Sequence, residues 1–361
     1  MLFDEGKIVH DVYEIDRFLG EGAFAEVYRV KHKFLGRQAM KVFKSPSSSQ
    51  EEIEQKLSEA IILSRIGHPN IIRVFDAGIV KTRIGQCGFF TMEYVAGGSL
   101  DTFWQSFGAN FVPIADAVEI VRQVCMGLAV AHAEKPPIIH RDIKPQNILV
   151  GYDPGGIRVR IADFGLAKKV NPLTLLASAK GTPAFKPPEC LSNMDSCAAD
   201  VWAIGATFYL LLTDRLPFPM GGMMDFSSGK CWKHSLVPSS CFNSGVDSVL
   251  DSIVSRCLEL NPADRYPDAS ALLIELSQWK PSESKKGRQR KGDEYKSALG
   301  SLAQSDQTAA EKMVAEAQSL SQDTRKLIEA ADLLEEALNK WPKLRERHEY
   351  QLRLWRRGIS R

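Results

Sequence analysis

The feature that most constrains this chain of 361 residues is the polar segment 140–147, His-Arg-Asp-Ile-Lys-Pro-Gln-Asn, which lies between two apolar runs. Pro145 has no backbone N–H and a fixed φ, which excludes a regular helix or a central strand at this point. We therefore predict a loop that presents its side chains. A second acidic motif, Asp163-Phe164-Gly165, follows after another apolar run.

The two motifs together carry the groups that phosphoryl transfer from ATP requires. The carboxylate of Asp142 can orient an attacking hydroxyl and take its proton. The carboxylate of Asp163 and the amide oxygen of Asn147 suit magnesium, a hard cation that takes oxygen ligands. Lys144 can offset the charge that develops on the moving phosphoryl group. The alternative is a polar surface loop with a chance Asp and Asn, and two motifs in this order argue against it.

These motifs resemble the catalytic core of the protein kinases, in the variant with a lysine at 144 that marks Ser/Thr kinases. The resemblance covers about residues 12–279. It implies an eukaryotic-type (Hanks-type) kinase that transfers the γ-phosphoryl group of ATP to Ser and Thr hydroxyls of proteins, itself included. It also implies ATP and Mg²⁺ at the site, with Mn²⁺ as a further candidate ion.

The Gly-rich turn at 19–28 resembles the kinase ATP loop. Gly20 and Gly22 let backbone N–H groups approach phosphate oxygens with no Cβ in the way. A lone Gly-x-Gly marks only a tight hairpin, but this one lies between two β-rich runs and precedes Lys41 in an apolar strand. Ala25 replaces the third glycine of the family, and we expect a slightly stiffer loop. The residues assigned to the nucleotide are Leu19, Gly20, Glu21, Gly22, Ala23, Phe24, Ala25, Val27, Ala39, Lys41, Met92, Glu93, Val95 and Leu149.

Lys41 requires an ionic partner, because a lysine inside an apolar strand is costly unless it is paired. The alternative is a lysine that snorkels from a strand edge. A helix is predicted over about 49–66, and the resemblance makes Glu59 on that helix the partner of Lys41. Met92 takes the gatekeeper place, where a large methionine predicts a narrow back pocket. Backbone groups around Glu93 would hydrogen-bond the adenine.

The stretch from Asp163 to Glu189 resembles the kinase activation segment. The resemblance implies that Glu189 pairs with Arg265 and that Thr182 contacts the catalytic Asp and Lys. It further implies that Asp200 braces the backbone of the catalytic loop. By residue type alone, Asp200 is also a candidate helix N-cap, and both roles can hold at once.

A regulatory site is a further hypothesis. Arg141 directly precedes the predicted base, an arrangement that in this family often accompanies control by phosphorylation of the activation segment. We hypothesise that Thr174 or Ser178 accepts a phosphate, which Arg141 and Lys168 or Lys169 would neutralise. Ordinary loop hydroxyls are the equally weighted alternative.

The predicted fold class is α+β, a bilobal protein kinase fold with a small antiparallel β-rich N-lobe that carries one long helix, a mainly helical C-lobe, and a C-terminal helical tail. The predicted divisions are a catalytic domain at 12–280, with lobes at 12–95 and 96–280, a basic flexible linker at 281–296, and the tail at 297–361. The linker is rich in Lys, Arg, Ser and Gly, a composition typical of solvated chain.

The tail is predicted to be a small helical hairpin that docks on the kinase or on a partner protein. A capping box at 308–311 would start its first helix, and a last helix would follow the Trp-Pro pair at 341–342. Membrane-surface binding through the basic last helix is a weaker alternative. Four apolar residues recur at helical spacing in the tail, namely Leu327, Ala331, Leu334 and Leu338.

Composition excludes several other classes. The net charge of +2 argues against a dedicated nucleic-acid binder. The 7 cysteines are scattered and odd in number, so we expect reduced thiols and a cytoplasmic protein. The first residues are acidic where a signal peptide needs bases. The longest apolar run, 201–212, is too short to span a bilayer, so no transmembrane segment is expected.

Two other functions fit the same resemblance. The first is a nucleotide-binding pseudokinase scaffold that acts through its tail, but such a protein is expected to lack a catalytic Lys, Asp or Asn, and none is missing. The second is a kinase-fold enzyme that phosphorylates small molecules. The activation segment through Thr182 and Glu189 favours protein substrates.

Overall fold

The structure is a computed structural model, which describes residues 1–46, 57, 65–108, 110–164, 183–192, 196–218, 232, 235–281, 303–341 and 344–360. The chain divides into two compact units. The first comprises Met1–Tyr94 with Ala162–Thr182, and the second comprises Val95–Ile161 with Pro183–Arg361.

The first unit is built on a six-stranded antiparallel sheet, in which the strand order is β1-β2-β3-β4-β6-β5. Its strands are β1 Ile8–Val9, β2 Tyr13–Glu21, β3 Ala25–His32, β4 Gly36–Phe43, β5 Val74–Thr82 and β6 Gly85–Glu93. The three strands predicted between Val12 and Phe43 are confirmed. β5 is later and longer than the predicted 71–75, whereas β6 begins and ends earlier than the predicted 88–95. The reason is that Gly85 (φ +126°) closes a tight hairpin between them.

The core of the first unit lies on one face of this sheet. The members of this core recur at every second position along the strands, as the period of two requires: Tyr28 and Val30 on β3, Met40 and Val42 on β4, and Cys87 and Phe89 on β6. The N-terminal residues cover this face, since Leu2 and Phe3 belong to the same cluster. The sheet therefore includes residues on the N-terminal side of the predicted domain start at 12.

The described residues of the second unit form five α-helices in the catalytic region, together with the β-hairpin β7 (Ile148–Asp153) and β8 (Gly156–Ile161). The helices are α1 Leu100–Gln105, α2 Ile114–Ala133, α3 Cys197–Thr213, α4 Ser248–Cys257 and α5 Ala269–Gln278. Helix α3 is buried along almost its whole length. Within the described ranges, no helix combines the length and the apolar character needed to cross a membrane.

The N-terminus of α3 corrects one alternative from the sequence. The Ser196 side chain caps the helix by accepting a hydrogen bond from the Ala199 N–H at 3.3 Å. Asp200 lies inside the first turn of the helix, so its reading as the N-cap is wrong. The carboxylate of Asp200 is therefore available for another role.

The tail forms three helices rather than a hairpin: α6 Ala303–Leu320, α7 Leu327–Lys340 and α8 Arg345–Arg356. The predicted capping box at 308–311 is wrong, because these residues lie inside α6. The predicted apolar stripe is confirmed, since all four of its members on α7 are buried. Leu352 and Trp355 of α8 are buried as well.

Candidate active site

The Gly-rich turn connects β2 to β3 in the first unit. Gly20 pairs with Val27 across the hairpin, and the Gly22 N–H donates to the Ala25 carbonyl at 2.8 Å. A Cβ added at Gly20 or Gly22 would meet no heavy atom within 4 Å. The packing of the chain itself therefore does not require glycine at either position, which is consistent with the prediction that a phosphate approaches this backbone.

Lys41 lies on β4 with its side chain only 4% exposed, and its ammonium contacts the Asp163 carboxylate at 2.7 Å. The ammonium also lies 5.6 Å from the centre of the Phe90 ring. A carboxylate partner for Lys41 is therefore present, as a buried lysine requires. The predicted partner, Glu59, lies outside the described residues, so the Lys41–Glu59 pair stays a prediction.

The predicted adenine-binding segment begins on β6. Met92 is buried and is paired with Ala39 of β4 in the sheet register. The Glu93 N–H donates to the Arg73 carbonyl at 2.9 Å. This N–H already has an acceptor, so the prediction that Glu93 binds adenine has to rest on its carbonyl group.

The catalytic loop lies in the second unit, where Pro145–Asn147 forms a single 3₁₀ turn. Lys144 Nζ lies 2.7 Å from Asp142 Oδ2, and Asn147 Nδ2 donates to the same oxygen at 2.9 Å. Asn147 Nδ2 also donates to the Asp142 carbonyl at 2.8 Å. The turn thus brings Lys144 and the predicted metal ligand Asn147 against the carboxylate of Asp142.

Asp200 braces the backbone of this loop, as the family resemblance implied. Its Oδ2 accepts from the His140 N–H at 2.7 Å, and its Oδ1 accepts from the Arg141 N–H at 2.8 Å. His132 Nε2 lies 3.1 Å from the same carboxylate. Arg141 has a left-handed backbone (φ +68°), a costly conformation for a residue with a side chain. The two hydrogen bonds that the Asp200 carboxylate accepts hold the loop in this conformation.

Lys186 is a contact of the Asp142 carboxylate that sequence reasoning missed. Its Nζ lies 3.3 Å from Asp142 Oδ1 and donates to the Arg141 carbonyl at 2.6 Å. Burial would raise the pKa of the Asp142 carboxyl, but the charges of Lys186 and Lys144 outweigh burial and lower this pKa below its ordinary value. Asp142 is therefore ionised at neutral pH, as a group that accepts a proton must be.

The pair predicted between Glu189 and Arg265 is present. Arg265 Nη1 donates to Glu189 Oε1 at 2.6 Å and Nη2 to Oε2 at 2.8 Å, a bidentate arrangement. Both side chains are almost fully buried. The pair fixes the end of the activation segment within the second unit.

The predicted metal ligands have the chemistry that magnesium requires. Both bonds of Asn147 within the loop use its amide nitrogen, so its amide oxygen remains to face a cation. Asp163 uses Oδ1 for Lys41 and has a second carboxylate oxygen. The described residues contain no group of three or more His, Cys, Asp or Glu side chains that could hold a metal by themselves. Magnesium characteristically relies on few protein ligands together with phosphates and water.

Several predicted residues lie outside the described ranges. They include Glu59, Thr182 and the two candidate phosphate acceptors, Thr174 and Ser178. Their predicted roles stay predictions. Lys186 could have been singled out from the sequence, because it is the one charged residue in the stretch 183–188, which otherwise consists of Pro, Ala and Phe.

Comparison with known proteins identifies the family. Residues 13–279 match the family model for the protein kinase domain. The chain belongs to this family, and its resemblance to the eukaryotic-type Ser/Thr protein kinases is confirmed. Its fold is the bilobal kinase fold, with an antiparallel β-rich N-lobe, a helical C-lobe and a helical C-terminal region.

Individual relatives carry Ser/Thr kinase names. The chain is 32% identical over 263 residues to the serine/threonine-protein kinase ATG1c of Arabidopsis thaliana, covering 72% of this chain and 34% of that one. It is 30% identical over 288 residues to the serine/threonine-protein kinase PknB of Mycobacterium leprae, covering 76% and 44%. The matches therefore span less than half of the length of these relatives.

A solved structure is also similar. The crystal structure of the Mycobacterium tuberculosis PknI kinase domain matches with a TM-score of 0.56 and 26% sequence identity. The match covers 77% of this chain and 99% of that chain. The kinase fold therefore accounts for most of this chain, and the tail is additional to it.

Proposed function

We propose that this protein transfers the γ-phosphoryl group of ATP to Ser and Thr hydroxyls of proteins, including its own. The observation that carries the proposal is the ionised Asp142 carboxylate, held by Lys144 and Asn147 inside a loop that Asp200 braces. A side chain fixed in this way is placed to orient a hydroxyl.

In the proposed mechanism, the Asp142 carboxylate accepts a hydrogen bond from the substrate hydroxyl and takes its proton as the new O–P bond forms. The bond between the γ-phosphorus and the β–γ bridging oxygen breaks in the same step, and ADP leaves. Lys144 stabilises negative charge on the transferring group. Lys41, which lies on β4 and is paired with Asp163, positions the phosphates of ATP. The Gly-rich turn supplies backbone N–H groups to the same phosphates.

We propose that Asn147 and Asp163 supply oxygen ligands to Mg²⁺, with Mn²⁺ as a second candidate. When bound, this ion offsets charge on the phosphate oxygens. The remaining residues that we assign to the nucleotide are Leu19, Gly20, Glu21, Gly22, Ala23, Phe24, Ala25, Val27, Ala39, Met92, Glu93, Val95 and Leu149.

A transfer assay with an Asp142→Asn variant tests the proposal. Wild-type protein with labelled ATP and Mg²⁺ is expected to phosphorylate a mixed Ser/Thr peptide library. The variant should lose about 10²- to 10⁴-fold in kcat, because it removes the group that takes the proton. Binding of a fluorescent ATP analogue should be retained. Asp11→Asn is the matched control, since Asp11 is an exposed residue of the first unit.

The same assay separates the alternatives. A pseudokinase scaffold would bind the ATP analogue but transfer no phosphate to any acceptor. A small-molecule kinase would modify alcohols or aminoglycoside-like compounds and leave the peptides unmodified. Undiminished peptide phosphorylation by the Asp142→Asn variant would show that the assignment of the base is wrong.

We also propose that the tail docks on the catalytic lobe of its own chain, and that a partner protein is its alternative ligand. Two observations support docking. Arg357 Nε donates to the Pro154 carbonyl in the hairpin between β7 and β8 at 3.1 Å. A Cβ placed on Gly97 would lie 2.4 Å from Glu335 Oε1 of α7, so glycine at 97 permits a close approach of the tail.

A cytoplasmic location is a further proposal. It is supported by the cysteines of the described residues, of which Cys87, Cys125, Cys190, Cys197, Cys241 and Cys257 are free thiols. Reduced thiols are the usual state of cysteine in that compartment. Fractionation of cells that express a tagged chain would test it.

A further inference from the structure

We propose that Lys186 is a specificity-determining residue, which recognises an acidic side chain of the substrate within one or two residues of the phosphorylated Ser or Thr. This inference deepens the proposed kinase function and rests on it. It is carried by the hydrogen bonds around the Asp142 carboxylate.

The two oxygens of Asp142 are not equivalent. Oδ2 accepts from two groups of the described residues, Lys144 and Asn147, at 2.7 and 2.9 Å. Oδ1 contacts one group in the described part of the chain, Lys186, at the longer distance of 3.3 Å. A carboxylate oxygen accepts about two hydrogen bonds. Oδ1 is therefore the oxygen that can accept the substrate hydroxyl, and Lys186 lies beside it.

Lys186 itself retains capacity for a substrate contact. An ammonium has three N–H donors. Within the described ranges, the Lys186 ammonium donates to the Arg141 carbonyl at 2.6 Å and lies 3.3 Å from Asp142 Oδ1. The side chain is 29% exposed, so solvent or a substrate can reach the third donor. A group that contacts it would lie next to the acceptor hydroxyl.

The local charge favours an anion at this position. Two ammonium groups, those of Lys144 and Lys186, face the single carboxylate of Asp142. The excess positive charge attracts a carboxylate more strongly than a neutral amide. The backbone restricts where Lys186 can move, because Phe185 beside it is buried and Pro187 follows it. The ammonium is thus held close to the acceptor site.

Paired peptides test this inference. Each pair contains one Ser and differs only in a Glu or a Gln, placed one or two residues before or after the Ser. Wild-type protein should prefer the Glu peptide by about fivefold in kcat/KM at one or more of these positions, the effect of one partly exposed ion pair. Lys186→Arg should keep the preference and Lys186→Met should abolish it. Lys280→Gln, which removes an exposed lysine, should leave it unchanged.

The outcomes separate the inference from the proposed function. Equal use of the Glu and Gln peptides by wild-type protein at every position overturns the inference and leaves the kinase function standing, because both peptides are still phosphorylated. A Lys186→Met variant that still prefers the Glu peptide also overturns the inference, whether or not its kcat on both peptides is reduced. Failure of wild-type protein to phosphorylate any peptide, including the mixed library, overturns the proposed function and the inference together.

Discussion

Replacing Arg265 with Met is expected to cause a large loss of stability, because all five N–H donors of the guanidinium make hydrogen bonds. Besides its two bonds to Glu189, it donates to the carbonyls of Glu259 at 2.7 Å and of Ala198 and Leu260 at 3.1 Å. It also lies 4.8 Å from the centre of the Trp202 ring. Removing one partner of a buried pair costs about 3–5 kcal/mol, since the other charge stays buried without compensation.

This expected loss is about a fifth or more of the stability of an ordinary domain, for which roughly 5–15 kcal/mol is typical. Urea denaturation followed by tryptophan fluorescence measures it. The matched control is Arg325→Met, because Arg325 is 90% exposed and pairs with Asp323 at the surface. Removing such a pair should change the free energy of unfolding by less than about 1 kcal/mol.

A double variant tests the physical reason for the loss. If the cost arises from the stranded Glu189 carboxylate, Arg265→Met combined with Glu189→Gln should be about 2 kcal/mol more stable than Arg265→Met alone. A single variant that unfolds within about 1 kcal/mol of the wild type would refute the reasoning. A double variant no more stable than the single would show that lost packing is the cause.

Three further predictions concern other parts of the second unit. Asp200→Ala should lower kcat at least about tenfold and the free energy of unfolding by about 2 kcal/mol, because two N–H groups of the catalytic loop lose their acceptor. Steady-state kinetics measures the first effect and urea denaturation the second, and an unchanged kcat would contradict the bracing role of Asp200. Because Asp142 is the proposed base and acts in its ionised form, activity should be lost as pH falls through its pKa. Lys186→Met should raise that pKa and move the acid limb of the kcat/KM profile to higher pH, and an unmoved limb would contradict the effect of Lys186. Arg356→Met removes the guanidinium that contacts the carboxylates of Glu335 and Asp332, both at 2.6 Å, and should destabilise the tail by about 3 kcal/mol. Hydrogen exchange in α7 and α8 should become faster, and exchange as slow as in the wild type would contradict the prediction.

Local spacing explains why much of the site was predictable. Asp142, Lys144 and Asn147 lie within one short loop, and Pro145 forces that loop into a single turn. The turn places Lys144 and Asn147 against the Asp142 carboxylate through contacts that span only two and five residues of the chain. The strands from 12 to 43 and the buried stripe of α7 were predictable for a similar reason, since the period of apolar residues reports which face is buried.

Tertiary structure decided the contacts between residues that are distant in the chain. Lys186 and Arg141 are 45 residues apart, and Arg141 and Asp200 are 59 apart, so no local period connects them. The charge of a lysine can be read from the sequence, but the carboxylate that it meets depends on how the helices and loops pack. The same holds for the caps of the helices. Ser196 rather than Asp200 caps the N-terminus of α3, and the predicted capping box at 308–311 lies inside α6. The amino-acid sequence by itself determined the chemistry of the catalytic loop, and only the fold determined which distant charges stabilise it, because an ion pair depends on distance in space and not on separation along the chain.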